Sequence, residues 1–179
     1  PMSSSRDAAT YRPDQRWHLL CQVIDNFGDA GVMWRLARQL HDEHGCHVHL
    51  FIDQPEVLER LAPEAERPPV LVSRLDDDAA VGRDADVIVC GFQVRLPRKA
   101  RAALKNRPSG PPQLIQLEYL SAEDWVADGH GLPSLQPDGL TEHFFNPGFS
   151  ADTGGLLRER DLLQRRDAFL ADPAHKDQW

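Results

Sequence analysis

Two carboxylates, Asp25 and Asp29, bracket a predicted turn. The apolar run 17–24 before it has the length of a buried strand, and the pattern 29–44 after it has the apolar spacing of a helix. Gly28 makes a sharp turn easy because glycine tolerates positive φ. Open α/β sheets bind ligands at such strand-to-helix turns, so we expect any chemistry of this chain to lie here.

Asp29 falls at the predicted N-cap of the helix. A carboxylate in that position accepts backbone N–H bonds and meets the positive end of the helix dipole. A purely structural interpretation is therefore available, in which Asp29 is only a cap and Asp25 only closes the turn. The spacing leaves both interpretations open.

Glu118 is a further candidate because it ends a predicted strand over 113–118. This end lies at the same edge of a parallel sheet as Asp25, so Glu118 could face the same cleft. It could equally be a charge on the rim. Ser121 and Asp124 form a capping pattern that predicts a short helix over 121–126.

Two other kinds of site are disfavoured. Residues 27–32, FGDAGV, depart from the glycine fingerprint of dinucleotide-binding folds and place an acid where phosphate would bind. A histidine-rich stretch surrounds Cys46, but Gly45 separates its helical part from its strand part, so we expect no metal site. The histidines concerned are His41, His44, His47 and His49.

Strand and helix patterns alternate along the rest of the chain. This alternation predicts a Rossmann-like α/β domain, with a parallel sheet and helices on both faces. The remaining predicted strands are 47–52, 70–72, 86–90 and 143–146, the remaining helices are 55–61, 96–104 and 156–170, and 128–139 is predicted to be a loop. Glycines recur within 144–149 and 153–156, where they could admit a ligand close to the backbone or form a hinge.

Composition limits the classes of partner. The chain has 179 residues and a formal net charge of −8, which argues against nucleic acid. No apolar run has the length of a membrane span, and the polar N-terminus lacks the apolar core of a signal peptide. Three widely spaced cysteines in or beside apolar runs indicate buried thiols in a reducing cytoplasm.

The pattern also suggests a domain organisation. Residues 1–16 are polar and without period, so we expect a disordered tail, followed by the domain over 17–155. Residues 156–179 read as a charged linker helix, and we expect this chain to be the first half of a two-domain protein.

Three segments together resemble one known family. They are VIDNFGDAGVMWRLARQL at 23–40, LEYLSAEDWV at 117–126, and FFNPGF with TGGL between 144 and 156. In this order they resemble the bacterial elongation factor P arginine rhamnosyltransferases. The resemblance implies a GT-B glycosyltransferase fold, in which two Rossmann-like domains face each other across a cleft, and this chain would be the N-terminal, acceptor-side half.

The resemblance also implies an activity. Family members move rhamnose from dTDP-β-L-rhamnose to an arginine of elongation factor P, with inversion and without metal or cofactor, and so activate the factor for translating polyproline stretches. The donor would bind in the C-terminal domain, which also carries a catalytic glutamate. Because this chain has no such half, we expect it to bind the acceptor without turnover.

The family's two N-terminal acidic residues match Asp25 and Asp29. The resemblance therefore implies that Asp29 is the general base and Asp25 its supporting partner, with Asn26, Phe27 and Gly28 lining the sugar side of the turn. A competing hypothesis is an acidic docking module for a basic protein, without chemistry of its own.

Overall fold

A computed structural model describes residues 13–24, 27–63, 69–76 and 80–172. They form a seven-stranded sheet flanked by helices. The strands are β1 (Arg16–Cys21), β2 (His47–Ile52), β3 (Leu71–Arg74), β4 (Val87–Gly91), β5 (Gln113–Leu117), β6 (Pro133–Leu135) and β7 (Thr141–Phe145). The helices are α1 (Gly28–Asp42), α2 (Glu56–Leu61), α3 (Arg98–Lys105), α4 (Trp125–Gly129) and α5 (Leu162–Ala171).

The strand order confirms the Rossmann-like prediction. The order is β3-β2-β1-β4-β5-β7-β6, and every pair is parallel except β6 with β7. Strands β2 and β3 are added on one side of β1, and the strands from β4 onward are added on its other side. The point of reversal between β1 and β4 leaves a crevice at their carboxyl ends, where α/β sheets bind ligands.

Side chains on the two faces of the sheet form two separate cores. One core unites Leu19 of β1 with Met33 and Ala37 of α1. The other unites Leu20 of β1 with Leu104 of α3. The central strands are buried on both sides, as in other sheets covered by helices, which explains their uninterrupted apolar runs.

Helix α1 packs unusually close to the end of β4. A Cβ atom added to Gly91 would lie 2.7 Å from Met33 Sδ and 3.2 Å from the carbonyl oxygen of Leu20. Only glycine fits such a gap without displacing a neighbour. The last residue of β4 therefore fixes how deeply the first turns of α1 sit above the crevice.

Most predicted elements differ from the structure by one to three residues at their ends, and three differ more. Helix α4 begins at Trp125 rather than at Ser121, because the Ser121 hydroxyl accepts the Glu123 N–H (3.1 Å) in a turn that precedes the helix. The predicted loop 128–139 contains β6, an edge strand that pairs with β7 and tolerates Pro133 at its start.

The third difference is the predicted helix 156–170, which begins only at Leu162. Residues 156–161, hereafter the strap, are not helical. Their backbone is bonded to side chains of α1: Gln39 Nε2 donates to the Arg158 carbonyl (2.6 Å), and Glu43 accepts the Arg160 N–H (2.7 Å). These bonds hold the strap against α1.

All three cysteines are buried, as their apolar surroundings predicted, and none of them forms a disulfide among the described residues. Burial raises the pKa of the Cys21 thiol and that of the Cys90 thiol to about 12. In the parts of the chain that the structure describes, no helix is long and apolar enough to cross a membrane. Strand β1 begins at Arg16, the last residue of the predicted tail; residues 1–12 lie outside the described ranges, and the disordered tail stays a prediction.

His18 of β1 is a buried polar residue that the sequence did not single out. Its Nδ1 accepts the Gly82 N–H (2.9 Å), and its Nε2 lies 3.4 Å from a carboxylate oxygen of Asp84. Burial, assisted by repulsion from His49, lowers the pKa of His18 to about 4. Protonation of Nδ1 would therefore place its new hydrogen against the hydrogen of the Gly82 N–H and break this bond.

This arrangement predicts acid sensitivity. The unfolded chain binds a proton at His18 near the ordinary pKa of 6.5, whereas the folded chain does so only near 4. The contribution of His18 to the free energy of unfolding is therefore complete at pH values above 6.5. It falls by about 1–3 kcal/mol as the pH decreases from 6.5 towards 4. Urea unfolding at about pH 7.5 and about pH 4.5 measures the loss.

The matched variant is His18→Asn, which keeps an acceptor for the Gly82 N–H but cannot titrate. Its free energy of unfolding should fall less between the two pH values than that of the unsubstituted chain. An equal fall in both proteins would show that other groups cause the acid sensitivity.

Candidate functional site

The carboxyl ends of β1, β4 and β5 meet the N-terminus of α1 at the crevice. Asp25 and Asn26 lie outside the described residues. The predicted site residues that the structure does describe here are Phe27, Gly28, Asp29 and Glu118. Phe27 is 45% exposed, Gly28 is also exposed, and Asp29 is 2% exposed.

Asp29 is not the N-cap that the sequence predicted. Helix α1 begins at Gly28, and Phe27 occupies the cap position without a side-chain cap bond. Because Asp29 already lies within the first turn, its carboxylate bonds to groups outside the helix. Oδ2 accepts the Ile24 N–H (3.0 Å), and Oδ1 accepts the Tyr119 hydroxyl (3.2 Å). It still benefits from the positive end of the helix dipole.

A second aspartate, Asp53, fixes the start of the turn. Its Oδ1 accepts the Val23 N–H (2.9 Å), and its own N–H donates to the Cys21 carbonyl (3.3 Å). The next residue, Gln54, donates from Nε2 to the Val23 carbonyl (3.2 Å). The sequence analysis missed Asp53, although its position directly after β2 places it at the same sheet edge as the other candidates.

Tyr119 was also missed, although it directly follows Glu118. Its ring stacks on Phe92 at a centroid distance of 4.5 Å and an interplanar angle of 18°. Phe92 has a left-handed φ of 55° and donates its N–H to the Leu117 carbonyl (2.7 Å). Tyr119 remains 46% exposed, whereas Phe92 is buried. The stack therefore places a solvent-facing phenol over the Asp29 carboxylate.

Glu118 lies on the same groove as Asp29. Its backbone N–H donates to the Phe145 carbonyl (3.0 Å), which continues the pairing of β5 with β7. Partial burial raises the pKa of its carboxyl above the ordinary value. The structure thus brings Glu118 and Asp29 to one groove, and the role of Glu118 there stays a prediction.

The groove has a volume of about 820 Å³ and is mostly apolar away from Asp29 and Glu118. One wall is α1, with Val32 and Leu36, and the strap contributes Leu156. Trp17 also lines it, and its buried Nε1 has no hydrogen-bond partner among the described residues. The Asp29 and Glu118 carboxylates therefore lie on a groove whose lining is mostly apolar.

The strap is bound to α1 by an ion pair that the sequence did not reveal. Arg35 donates from Nε and Nη2 to the two carboxylate oxygens of Glu159, both at 2.7 Å. These bonds hold the pKa of the Glu159 carboxyl below its ordinary value. Helix α1, which contains Asp29 in its first turn, therefore also binds the strap through Arg35.

Comparison with known proteins identifies the family. The family model described as "Elongation-Factor P (EF-P) rhamnosyltransferase EarP" matches residues 17–179. The chain belongs to this family. The resemblance carried by its three sequence segments is thereby confirmed.

Several curated relatives are named protein-arginine rhamnosyltransferase. The chain is 45% identical over 171 residues to a protein-arginine rhamnosyltransferase of Pseudomonas aeruginosa, covering 91% of this chain and 45% of the relative. Identity to the Pseudomonas putida protein of that name is 46% over 160 residues, covering 86% and 42%. For the Shewanella oneidensis protein it is 37% over 189 residues, covering 98% and 46%. The chain spans less than half the length of these relatives.

The glycine segment of the family signature has a structural use here. A Cβ added to Gly154 would lie 2.5 Å from Phe145 Cε1, and the Gly154 N–H donates to the Asn146 carbonyl (2.8 Å). Gly154 and Gly155 also line the groove. Close packing on Phe145 explains Gly154, and the hinge hypothesis stays a prediction.

The histidine-rich stretch is divided among separate contacts. His41 Nδ1 lies 3.1 Å from the Cys46 carbonyl, and His49 Nε2 lies 2.8 Å from the Ser73 hydroxyl. Within the described ranges, no three His, Cys, Asp or Glu side chains are grouped so that they could hold a metal ion.

The Arg35–Glu159 pair should stabilise the strap measurably. Glu159→Gln removes the charge but keeps the shape of the side chain, so we expect a loss of about 1 kcal/mol in the free energy of unfolding. Hydrogen exchange of the Arg160 amide should accelerate as well, because the strap opens more readily.

The matched control is Asp161→Asn, which removes an exposed charge in the i,i+4 pair with Arg165. We expect it to change stability by no more than about 0.5 kcal/mol. Equal effects of the two substitutions would show that the Arg35 pair has no special role.

Proposed function

We propose that this chain is the acceptor half of an enzyme that transfers rhamnose from dTDP-β-L-rhamnose to an arginine of elongation factor P. Family membership and the names of the curated relatives support the transferase reaction. The observation that carries the site assignment is the Asp29 carboxylate, which lies at the reversal point of the sheet and is oriented by bonds to both of its oxygens.

The chemistry of the acceptor restricts the mechanism. A guanidinium is protonated at neutral pH, and a carboxylate cannot remove its proton in the ground state. Carboxylates can instead grip the guanidinium through charge-assisted hydrogen bonds and hold one nitrogen over the anomeric carbon of the sugar. In this proposal Asp29 is one of these carboxylates and Asp25 supports it.

The transfer would be a single displacement with inversion. The guanidinium nitrogen forms a bond to the anomeric carbon, the bond from that carbon to the dTDP oxygen breaks, and dTDP leaves with the electron pair. The nitrogen becomes more acidic as its bond to carbon forms, and its proton then passes to Asp29 as general base. No covalent sugar–enzyme intermediate and no metal is needed in this scheme.

The remaining predicted residues surround this point. Phe27 and Gly28 are exposed beside Asp29 and would line the sugar side together with Asn26. Glu118 faces the same groove and would add negative charge near the cationic acceptor. The donor would bind to the part of the protein beyond this chain, so this chain would bind acceptor without turnover, in the cytoplasm where translation takes place.

Calorimetry of elongation factor P with this chain tests the acceptor assignment. We expect binding that Asp29→Asn weakens, because the substitution removes the charge that faces the guanidinium. The matched control is Asp42→Asn, which makes the same charge change at the other end of α1 and should leave the affinity unchanged. Equal weakening by both would indicate a diffuse acidic docking surface rather than a site at Asp29.

Turnover in the full-length protein tests the base. We expect Asp29→Asn to lower kcat by about 10²–10⁴-fold, the usual range for loss of a general base, with an unchanged circular dichroism spectrum. Retention of nearly normal kcat would exclude Asp29 as the base.

A further inference from the structure

The proposed base is closed off from solvent in this structure. Asp29 is 2% exposed, and both carboxylate oxygens accept hydrogen bonds. A guanidinium could not reach either oxygen in this arrangement. One of the groups that contact the carboxylate must therefore move before an arginine can bind there.

The Ile24 amide and the Tyr119 hydroxyl differ in how easily they can leave the carboxylate. Ile24 donates from its backbone, and the preceding residue is fixed by the bond from the Val23 N–H to Asp53. Tyr119 donates from the end of a side chain that is 46% exposed, over the longer distance of 3.2 Å. Its hydroxyl can be transferred to water by a side-chain rotation, whereas release of the Ile24 amide requires the backbone after β1 to move.

We infer that the Tyr119 hydroxyl occupies the place of the acceptor nitrogen on Asp29 Oδ1 and is displaced when the arginine binds. This inference rests on the proposed function, since it takes Asp29 as the acceptor carboxylate. Tyr119 is then a specificity-determining residue. The phenol O–H and a guanidinium N–H both bond to an ionised acceptor, but the guanidinium adds the attraction between opposite charges and can donate a second N–H, whereas a neutral donor only exchanges one such bond for another.

The aromatic stack suits this role. Phe92 is buried and held through its backbone to Leu117, so it remains in place when the Tyr119 hydroxyl leaves Asp29. The Tyr119 ring lies beside the carboxylate, where it can pack along an incoming guanidinium plane. The Tyr119 hydroxyl thus bonds to the buried Asp29 carboxylate in the absence of acceptor and is displaced when the acceptor binds.

The test is the sign of the effect of Tyr119→Phe on the affinity of this chain for elongation factor P. The variant keeps the ring and its stack but has no hydroxyl to displace. We therefore expect binding to become about two- to tenfold tighter, since one hydrogen bond no longer has to be broken. Weaker or unchanged binding would overturn the inference and indicate that the hydroxyl only orients Asp29 or has no part in binding.

A double-mutant cycle ties the effect to the carboxylate. In the background of Asp29→Asn, adding Tyr119→Phe should give no gain in affinity, and a gain of the same size would overturn the inference. Thermal unfolding of each variant verifies that it is folded. If Asp29→Asn alone leaves the affinity unchanged, the proposed function fails; if it weakens binding while Tyr119→Phe brings no gain, only the present inference fails.

Discussion

The carboxylate of Asp29 joins the turn after β1 and the first turn of α1 to the residues after β5, which are 90 positions further along the chain. It belongs to the first turn of α1, it accepts the Ile24 N–H from the turn after β1, and it accepts the Tyr119 hydroxyl from the residues after β5. A buried carboxylate without partners would be strongly disfavoured, so these bonds are a condition of its burial. The geometry of the crevice consequently depends on this one side chain.

The parallel sheet is what brings these parts together. In a parallel sheet all carboxyl ends lie at one edge, so the residues that follow β1, β2, β4 and β5 meet although they are far apart along the chain. Asp53 follows β2 and fixes Val23, while Phe92 follows β4 and supports Tyr119. The close packing of Gly91 against Met33 then sets the height of α1 above this edge.

Patterns of burial predicted most of the fold, because they act within a few residues. Strand β2 was predicted over its full range, His47–Ile52, since apolar runs of this length identify buried strands. The errors arose where a distant partner decides the local structure. Residues 156–161 carry a helix-compatible sequence, yet they are not helical, and their backbone bonds to Gln39 and Glu43 of α1. Strand β6 likewise exists only through its pairing with β7.

At the site, too, local sequence patterns were informative and contacts between distant residues could not be predicted. The position of Asp29 at a strand-to-helix turn was visible in the sequence, but its orientation was not, because that depends on which residue begins the helix. The N-cap is Phe27 instead of Asp29, and this shift of two residues turns the carboxylate from a cap into a buried link between elements. Its partner Tyr119 could be found only from the fold. A carboxylate that must be both buried and able to accept a cation requires a neighbour that can be exchanged, and a side-chain hydroxyl meets that requirement better than a backbone amide.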